Sequence, residues 1–251
     1  MFNKKEVYKI PCKQYIELYE QIFNNKNHSL IAGATGSGKS VMLNNGILYL
    51  MNNNTPANLQ FIFFDPKHVE LSNYKNTRYC LKFCTEIEQI NNTMRDLINL
   101  MNDRYKIMEK KGQKESTEKT IIVIIDELAD LLTGYKEQSK QFERMLIVLL
   151  QKARACKIFF KVATQQPNRV ILKAPITLNL VNRCALRTTD KIESKQIINT
   201  TGAESLPRYG QCIIKTPDLL TPKIYNVLLT PESTIKEICK AWTTGGAMVI
   251  K

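Results

Sequence analysis

The stretch HSLIAGATGSGKSVML, residues 28–43, decides the fold. Its opening, SLIAG (29–33), has the length and apolar character of a buried strand, and the segment from Lys39 to Met51 reads as a helix. Between the two, GATGSGKS fits G-x-x-x-x-G-K-[ST] at Gly33, Gly38, Lys39 and Ser40. Glycines in that pattern let backbone N–H groups wrap phosphate oxygens, and the helix start offers its positive end. The lysine reaches the β- and γ-phosphates, and the serine hydroxyl ligates Mg²⁺. A nucleotide-binding segment is therefore expected at Gly33, Ala34, Thr35, Gly36, Ser37, Gly38, Lys39, Ser40 and the following Val41.

A phosphate loop needs an acidic partner, and IIVIIDEL supplies one. TIIVIID (120–126) is a β-branched apolar run, the pattern of a central parallel strand covered on both faces. Asp126 ends it, placed to hold Mg²⁺ together with Ser40, and Glu127 follows, suited to polarise an attacking water. An isolated Asp-Glu pair often does no more than begin a helix; downstream of this loop and this strand the catalytic reading is the stronger. Adjacent acids favour hydrolysis over phosphoryl transfer to a small acceptor.

Further along, QKARACK (151–157) ends a helix with Arg154, and VATQQP (162–167) ends a strand with Thr164 and Gln165. A strand-end polar pair can sense a γ-phosphate. An arginine beyond a helix can reach a neighbouring subunit's nucleotide, although spacing alone makes an ordinary salt bridge as good a reading.

The rest of the chain supplies alternating elements. A helix is expected around IELYEQIF, strands at 58–65 and 157–164, and helices at 86–111 and 138–155. Short strands follow at 180–187, 210–215 and 223–229, with helices at 190–198 and 232–242. The 86–111 helix shows apolar residues every three or four positions, a core stripe. GQKESTEK (112–119) reads as a flexible polar connection and QQPNRVILKAP (165–175) as a loop with a basic tip. Strands alternating with helices imply an α/β fold with a parallel sheet.

Composition sets the outer bounds. A chain of 251 residues, 43% hydrophobic and 24% charged, suits one sizeable domain. Thirty-six Lys and Arg against 23 Asp and Glu give a net charge of +13, which favours a polyanionic partner or simply a basic solvated surface. The seven cysteines are scattered, with only Cys80 and Cys84 close together, and fit reduced thiols in a cytoplasmic protein. No apolar run reaches the length of a membrane helix, so any membrane association would come through a partner.

Taken together, HSLIAGATGSGKSVMLN, FIFFDPKHVELSNY, MNDRYKIM, VIIDELADLL, LLQKARACKIFFKVATQQP, LVNRCALRTTDKIESKQII and TGAESLPRYGQCIIK resemble the motor domain of the FtsK/SpoIIIE family of DNA translocases, within the FtsK–HerA group of P-loop ATPases. They keep the family's order over roughly residues 28–215. DPKHVELSNY and GAESL are far more specific than the phosphate loop. The resemblance implies a RecA-like P-loop NTPase with a mostly parallel central sheet flanked by helices. It implies ATP with Mg²⁺, double-stranded DNA as partner, and a homo-oligomeric ring, a hexamer, that pulls duplex through a central channel. By motif, Lys39, Ser40, Asp126, Glu127 and Gln165 take the catalytic and metal roles, and Arg154 becomes an arginine acting on the neighbouring subunit. Asp65 and Lys67 match the DPK signature, with a mutual ion pair as the plain alternative. Lys173, Lys191 and Lys195 resemble the family's DNA contacts, and Arg169 is a further candidate without a motif.

The expected organisation is a lead-in over 1–27, a motor over 28–230, and a C-terminal helix and tail over 231–251. The family's usual arginine after the strand-end glutamine is here Gln166, so one expected phosphate contact is missing. With the motor starting near Met1 and little after its last strand, no membrane anchor or orientation-reading module is expected in this stretch, as in a phage or mobile-element motor or an excised one. Rival readings are a conjugative coupling or genome-packaging ATPase, a nucleotide-gated DNA-binding scaffold, and a small-molecule kinase.

Overall fold

A computed structural model describes residues 13–24 and 26–243. In chain order the elements are helix α1 (Lys13–Phe23), strand β1 (Ser29–Ala32), α2 (Lys39–Asn53), β2 (Leu59–Phe64), β3 (Cys80–Cys84), α3 (Ile87–Lys111), β4 (Thr120–Ile125), α4 (Leu128–Thr133) and α5 (Glu137–Lys152). There follow β5 (Ile158–Thr164), α6 (Ala174–Thr177), β6 (Asn182–Ala185), α7 (Lys191–Ile198), β7 (Gln211–Lys215), β8 (Lys223–Asn226) and α8 (Glu232–Thr243). The first twelve and last eight residues, which include Cys12 and the Gly-Gly tail, lie outside the described residues; the six cysteines within them are free thiols.

The strands form one eight-stranded sheet in the order β3-β2-β4-β5-β1-β6-β7-β8. The run from β3 to β6 is parallel, and β7 and β8 are added antiparallel at one edge. Strand β4 shows why this sequence builds a two-sided sheet. All six of its residues are buried, and successive side chains point to opposite faces. Ile121, Val123 and Ile125 enter the core layer beneath α3 and α5, while Ile122 and Ile124 enter the layer beneath α1, α2 and α8. At roughly 1.5–3 kcal/mol for each fully buried Ile or Val, this strand alone is a major stabilising element.

The helices and strands read from periodicity are present, most within one or two residues, with three additions. Strand β3 escaped notice because CLKFC carries an exposed Leu81 and Lys82 at the sheet edge, so its pattern is not apolar. Helices α4 and α6 have six and four residues, too short for a periodic signal. The helix expected to run to 155 stops at Lys152, which leaves Arg154 in the turn before β5. The 112–119 loop is anchored at two points. The Ser116 amide donates to the Ala155 carbonyl, and Arg104 donates to the carbonyls of Lys119 and Cys156.

A charged side chain sits deep in the core. Lys161, in the middle of β5, is fully buried and donates to the carbonyls of Ile22, Asn24 and Asn27 and to the Ser29 hydroxyl. Burial pulls its pKa down to about 7. A buried ammonium persists only when oxygen acceptors replace its water, and here the α1–β1 connection provides them. The connection is thereby fastened to the sheet.

Its neighbour His28 is also fully buried, and its Nδ1 accepts from the Phe160 amide. Burial, reinforced by the charges of Lys161 and Arg154, lowers its pKa from 6.5 to about 3. The unfolded chain therefore binds a proton near pH 6.5 that the native state refuses until about pH 3. This contribution is complete above pH 6.5 and is lost progressively as pH falls through that window. Unfolding free energies measured between pH 7 and 4 should decline in the wild type and flatten in His28→Asn, whose amide oxygen can keep the Phe160 bond without titrating.

Candidate nucleotide-binding site

The phosphate loop leaves the C-terminal end of β1 between β5 and β6, and glycine is required at its start. A Cβ on Gly33 would stand 2.7 Å from the Leu186 Cβ and 2.8 Å from the Ser37 Oγ. The Ala34 amide donates to the Arg187 carbonyl at 2.8 Å, which fixes the loop to the end of β6. Gly38 precedes α2 with φ at 96°, a conformation that favours glycine, and no side chain caps the helix start. The first amides of α2 therefore lack a side-chain acceptor, the condition in which a helix N-terminus receives an anion. Within the loop the Ser37 hydroxyl is buried and has no hydrogen-bond partner. Uncapped amides, an orphaned hydroxyl and Lys39 together fit the phosphates of a nucleotide.

Lys39 is 4% exposed, and its Nζ donates to the Asp126 Oδ1 at 2.6 Å and to the Asp126 carbonyl at 2.7 Å. The loop on β1 and the acid on β4 are thus joined above β5, which lies between those strands. Ser40, half-buried one residue on, and Asp126 form an oxygen pair of the type that holds Mg²⁺.

Glu127 is 2% exposed and both of its oxygens are engaged. Oε1 accepts from the Thr164 hydroxyl at 2.6 Å and from the Ala129 amide at 3.2 Å; Oε2 accepts from the Gln165 amide at 2.9 Å. A carboxylate oxygen offers two lone-pair sites, so Oε2 retains one while the group is held rigid. Gln165 itself faces the cleft above the phosphate loop. Sequence-predicted Lys39, Asp126, Glu127 and Gln165 are therefore brought together at the ends of three neighbouring strands.

Arg154 is not part of that cluster. It sits exposed in the turn before β5, and its Nε donates to the Lys26 carbonyl at 3.1 Å. Ala32 pairs in register with Thr164, at the other end of β5. The seven residues of that strand, at ~3.3 Å each, separate Arg154 from its own phosphate loop by about 20 Å. No arginine side chain covers that distance.

The DPK residues form no mutual pair. Asp65 is fully buried and its Oδ2 accepts from the Leu71 amide, shaping the turn after β2. Lys67 instead pairs with Asp130 of α4 at 3.1 Å. That hydrogen bond raises the Lys67 pKa, with the fields of Glu127 and Asp126 adding to it. The signature lysine therefore stands beside the acid pair.

Of the basic residues singled out from sequence, Arg169 is exposed on the loop after β5, and Lys191 and Lys195 are exposed one turn apart on α7. Gln196 of α7 donates to the Leu172 carbonyl, so that loop and that helix are neighbours. Lys173 differs in being paired with Glu143 of α5 at 2.7 Å.

The phosphate loop forms one wall of a cleft of about 650 Å³, and the opposite wall was not legible in sequence. It consists of Leu186 after β6, Tyr209 before β7, and Val227 and Leu229 after β8. Those residues come from three segments that the antiparallel edge of the sheet brings together, and no local spacing marks them.

The profile of the FtsK/SpoIIIE family matches residues 13–120. "DNA translocase FtsK" of Campylobacter jejuni subsp. jejuni is 36% identical over 204 residues, covering 76% of this chain and 21% of that protein. The protein of the same name from Lactococcus lactis subsp. cremoris is 34% identical over 211 residues, covering 76% and 28%. The chain thus spans less than a third of the length of these curated relatives. Among solved structures, the pCW3 conjugation coupling protein TcpA with ATPγS superposes with a TM-score of 0.77 at 24% identity, over 96% of this chain and 75% of that one. The type VII secretion ATPase EccC of Thermomonospora curvata gives 0.72 at 20% identity, over 87% and 28%. These likenesses establish the P-loop ATPase fold expected from the sequence.

Proposed function

The chain belongs to the FtsK/SpoIIIE family, and from that premise we propose that it is a motor subunit that hydrolyses ATP and moves double-stranded DNA through a ring, a hexamer, of its own copies. The observation that carries this reading is the constellation Lys39, Asp126, Glu127 and Gln165, converging on one phosphate loop. In it, the loop amides and Lys39 hold the β- and γ-phosphates, and Ser40 and Asp126 hold Mg²⁺. The bound ion would neutralise charge on the β- and γ-oxygens. Glu127 orients a water at Oε2 and takes its proton as the water oxygen bonds to the γ-phosphorus. The bond to the bridging oxygen breaks and leaves ADP and phosphate. Arg154 completes the site of the adjacent subunit.

The exposed Arg169, Lys191 and Lys195 lie on neighbouring segments at the loop end of the sheet, which supports a sequence-independent phosphate-contacting surface. Lys173 would have to exchange Glu143 for phosphate. No helix among the described residues is long and apolar enough to cross a membrane, compatible with the cytoplasmic site we propose.

The test measures ATP hydrolysis with and without linear duplex DNA, with mass by light scattering in the same samples. Duplex should stimulate turnover and ATP should favour a ring-sized mass. Lys39→Ala should reduce turnover to background in both conditions. Stimulated hydrolysis that survives Lys39→Ala would sink the reading, as would a strict monomer with no response to duplex.

A further inference from the structure

Lys161 is a buried charge with no part in the hydrolysis. Its neighbours along β5 are Phe159, Phe160, Val162 and Ala163, and burying an ammonium among them costs stability. Apolar side chains of similar volume in place of buried ions are often neutral or stabilising, so stability alone does not account for a lysine here. What the ammonium does is gather backbone. It draws the carbonyls of Ile22, Asn24 and Asn27 to one point, at 3.2, 2.8 and 2.9 Å. Lys26 lies between the last two, and its carbonyl accepts from the Arg154 Nε at 3.1 Å. That bond aims the arginine. The backbone of its turn is fixed from the other side, where the Ala155 carbonyl accepts from the Ser116 amide and the Cys156 carbonyl from Arg104. The Arg154 side chain is exposed and makes no other hydrogen bond among the described residues. An arginine so exposed otherwise samples many rotamers. With Nε held, the plane of the guanidinium is set, and Nη1 and Nη2 are left to donate to phosphate oxygens.

We propose that Lys161 is a positioning residue for Arg154: by gathering the carbonyls of residues 22, 24 and 27 it holds the Lys26 carbonyl where it points the guanidinium at the adjacent subunit's nucleotide. This role presupposes that Arg154 acts on an adjacent subunit. Lys161 touches no nucleotide itself, and its removal should spare the subunit's own phosphate loop. Strand β1 keeps its pairing with β5 and β6, and the Ser29 hydroxyl still donates to the Ile22 carbonyl. Only the 24–27 connection loses its fastening. A displacement of the guanidinium by about 1 Å can cost on the order of 10²-fold in rate.

The experiment measures hydrolysis in the assembled protein and ATP affinity in the separated subunit, for wild type and Lys161→Met. The variant should lose about 10²-fold in kcat and keep both its KM for ATP and its affinity. Lys161→Gln offers the carbonyls an uncharged donor of shorter reach; it is the second variant should Lys161→Met not fold, with the same pattern and a smaller loss. Equimolar mixtures then separate positioning from general damage. With Lys39→Ala subunits, the Lys161 variants should regain activity, because their intact loops meet a well-aimed arginine. With Arg154→Ala subunits they should regain none, because neither partner brings one. Unchanged kcat, weakened ATP binding, or recovery with Arg154→Ala would overturn the proposal. The control mixture, Arg154→Ala with Lys39→Ala, keeps the two readings apart: if it co-assembles without recovering, the arginine does not act between subunits, and the role of Lys161 falls with it.

Discussion

Glu127→Gln is expected to bind ATP with near wild-type affinity and to hydrolyse it about 10²–10⁴-fold more slowly. The effect is large because every other feature of this carboxylate is spent on position. Three donors, from Thr164, Ala129 and Gln165, hold it at the end of β4. The amide of glutamine can keep part of that network but cannot take a proton from water. Its NH₂ must also face either the Gln165 amide or the pair on Oε1, and a donor against a donor costs stability locally. Single-turnover hydrolysis alongside equilibrium ATP binding separates the two contributions. A variant that loses binding and turnover together would recast Glu127 as a support of the loop; one that turns over normally would remove it from the chemistry.

Arg154→Ala should lower hydrolysis in the assembled protein by about 10³-fold without weakening ATP binding to the separated subunit. Some 20 Å of strand β5 divides this arginine from its own phosphate loop, so in the proposed ring the nucleotide it serves would belong to another copy. Mixing gives the sharper measurement. Arg154→Ala subunits retain an intact loop, and Lys39→Ala subunits retain an intact arginine, so an equimolar mixture should recover activity that neither variant has alone. Failure to recover, in a mixture shown to co-assemble, would leave Arg154 with only its bond to the Lys26 carbonyl.

What could be read in advance follows from how local each signal is. The phosphate loop, Ser40 and the acids after TIIVII depend on a strand, a turn and a helix start within a few residues, and those local elements are present where the sequence puts them. Gln165 could be placed because β5 is a largely apolar run, broken by Lys161, that ends on the residue before it. Partnerships that span the fold were not. Lys67 finds Asp130 rather than Asp65, Lys173 finds Glu143, and Arg154 finds a carbonyl 128 residues earlier. Each depends on which segments lie side by side, and sheet neighbours such as β2 and β4, β5 and β1, or β1 and β6 are not consecutive in the chain. The wall carrying Tyr209 is an extreme case, since it exists only because β7 and β8 turn back along the edge of a parallel sheet.

Strand β5 has a mechanical meaning that its burial conceals. It is hydrogen-bonded on both sides, to β4 and to β1, and is buried along its whole length. At one end Thr164 and Gln165 bond to Glu127 beside the phosphate loop. From its middle, Lys161 fastens the loop whose Lys26 carbonyl holds the Arg154 side chain. In the proposed ring the strand would span about 20 Å between the subunit's own nucleotide and the one served by Arg154. A subunit that shifts when its own phosphate bond breaks must carry Arg154 with it, so the order of firing around a ring would be timed by a rigid part, not by a flexible one.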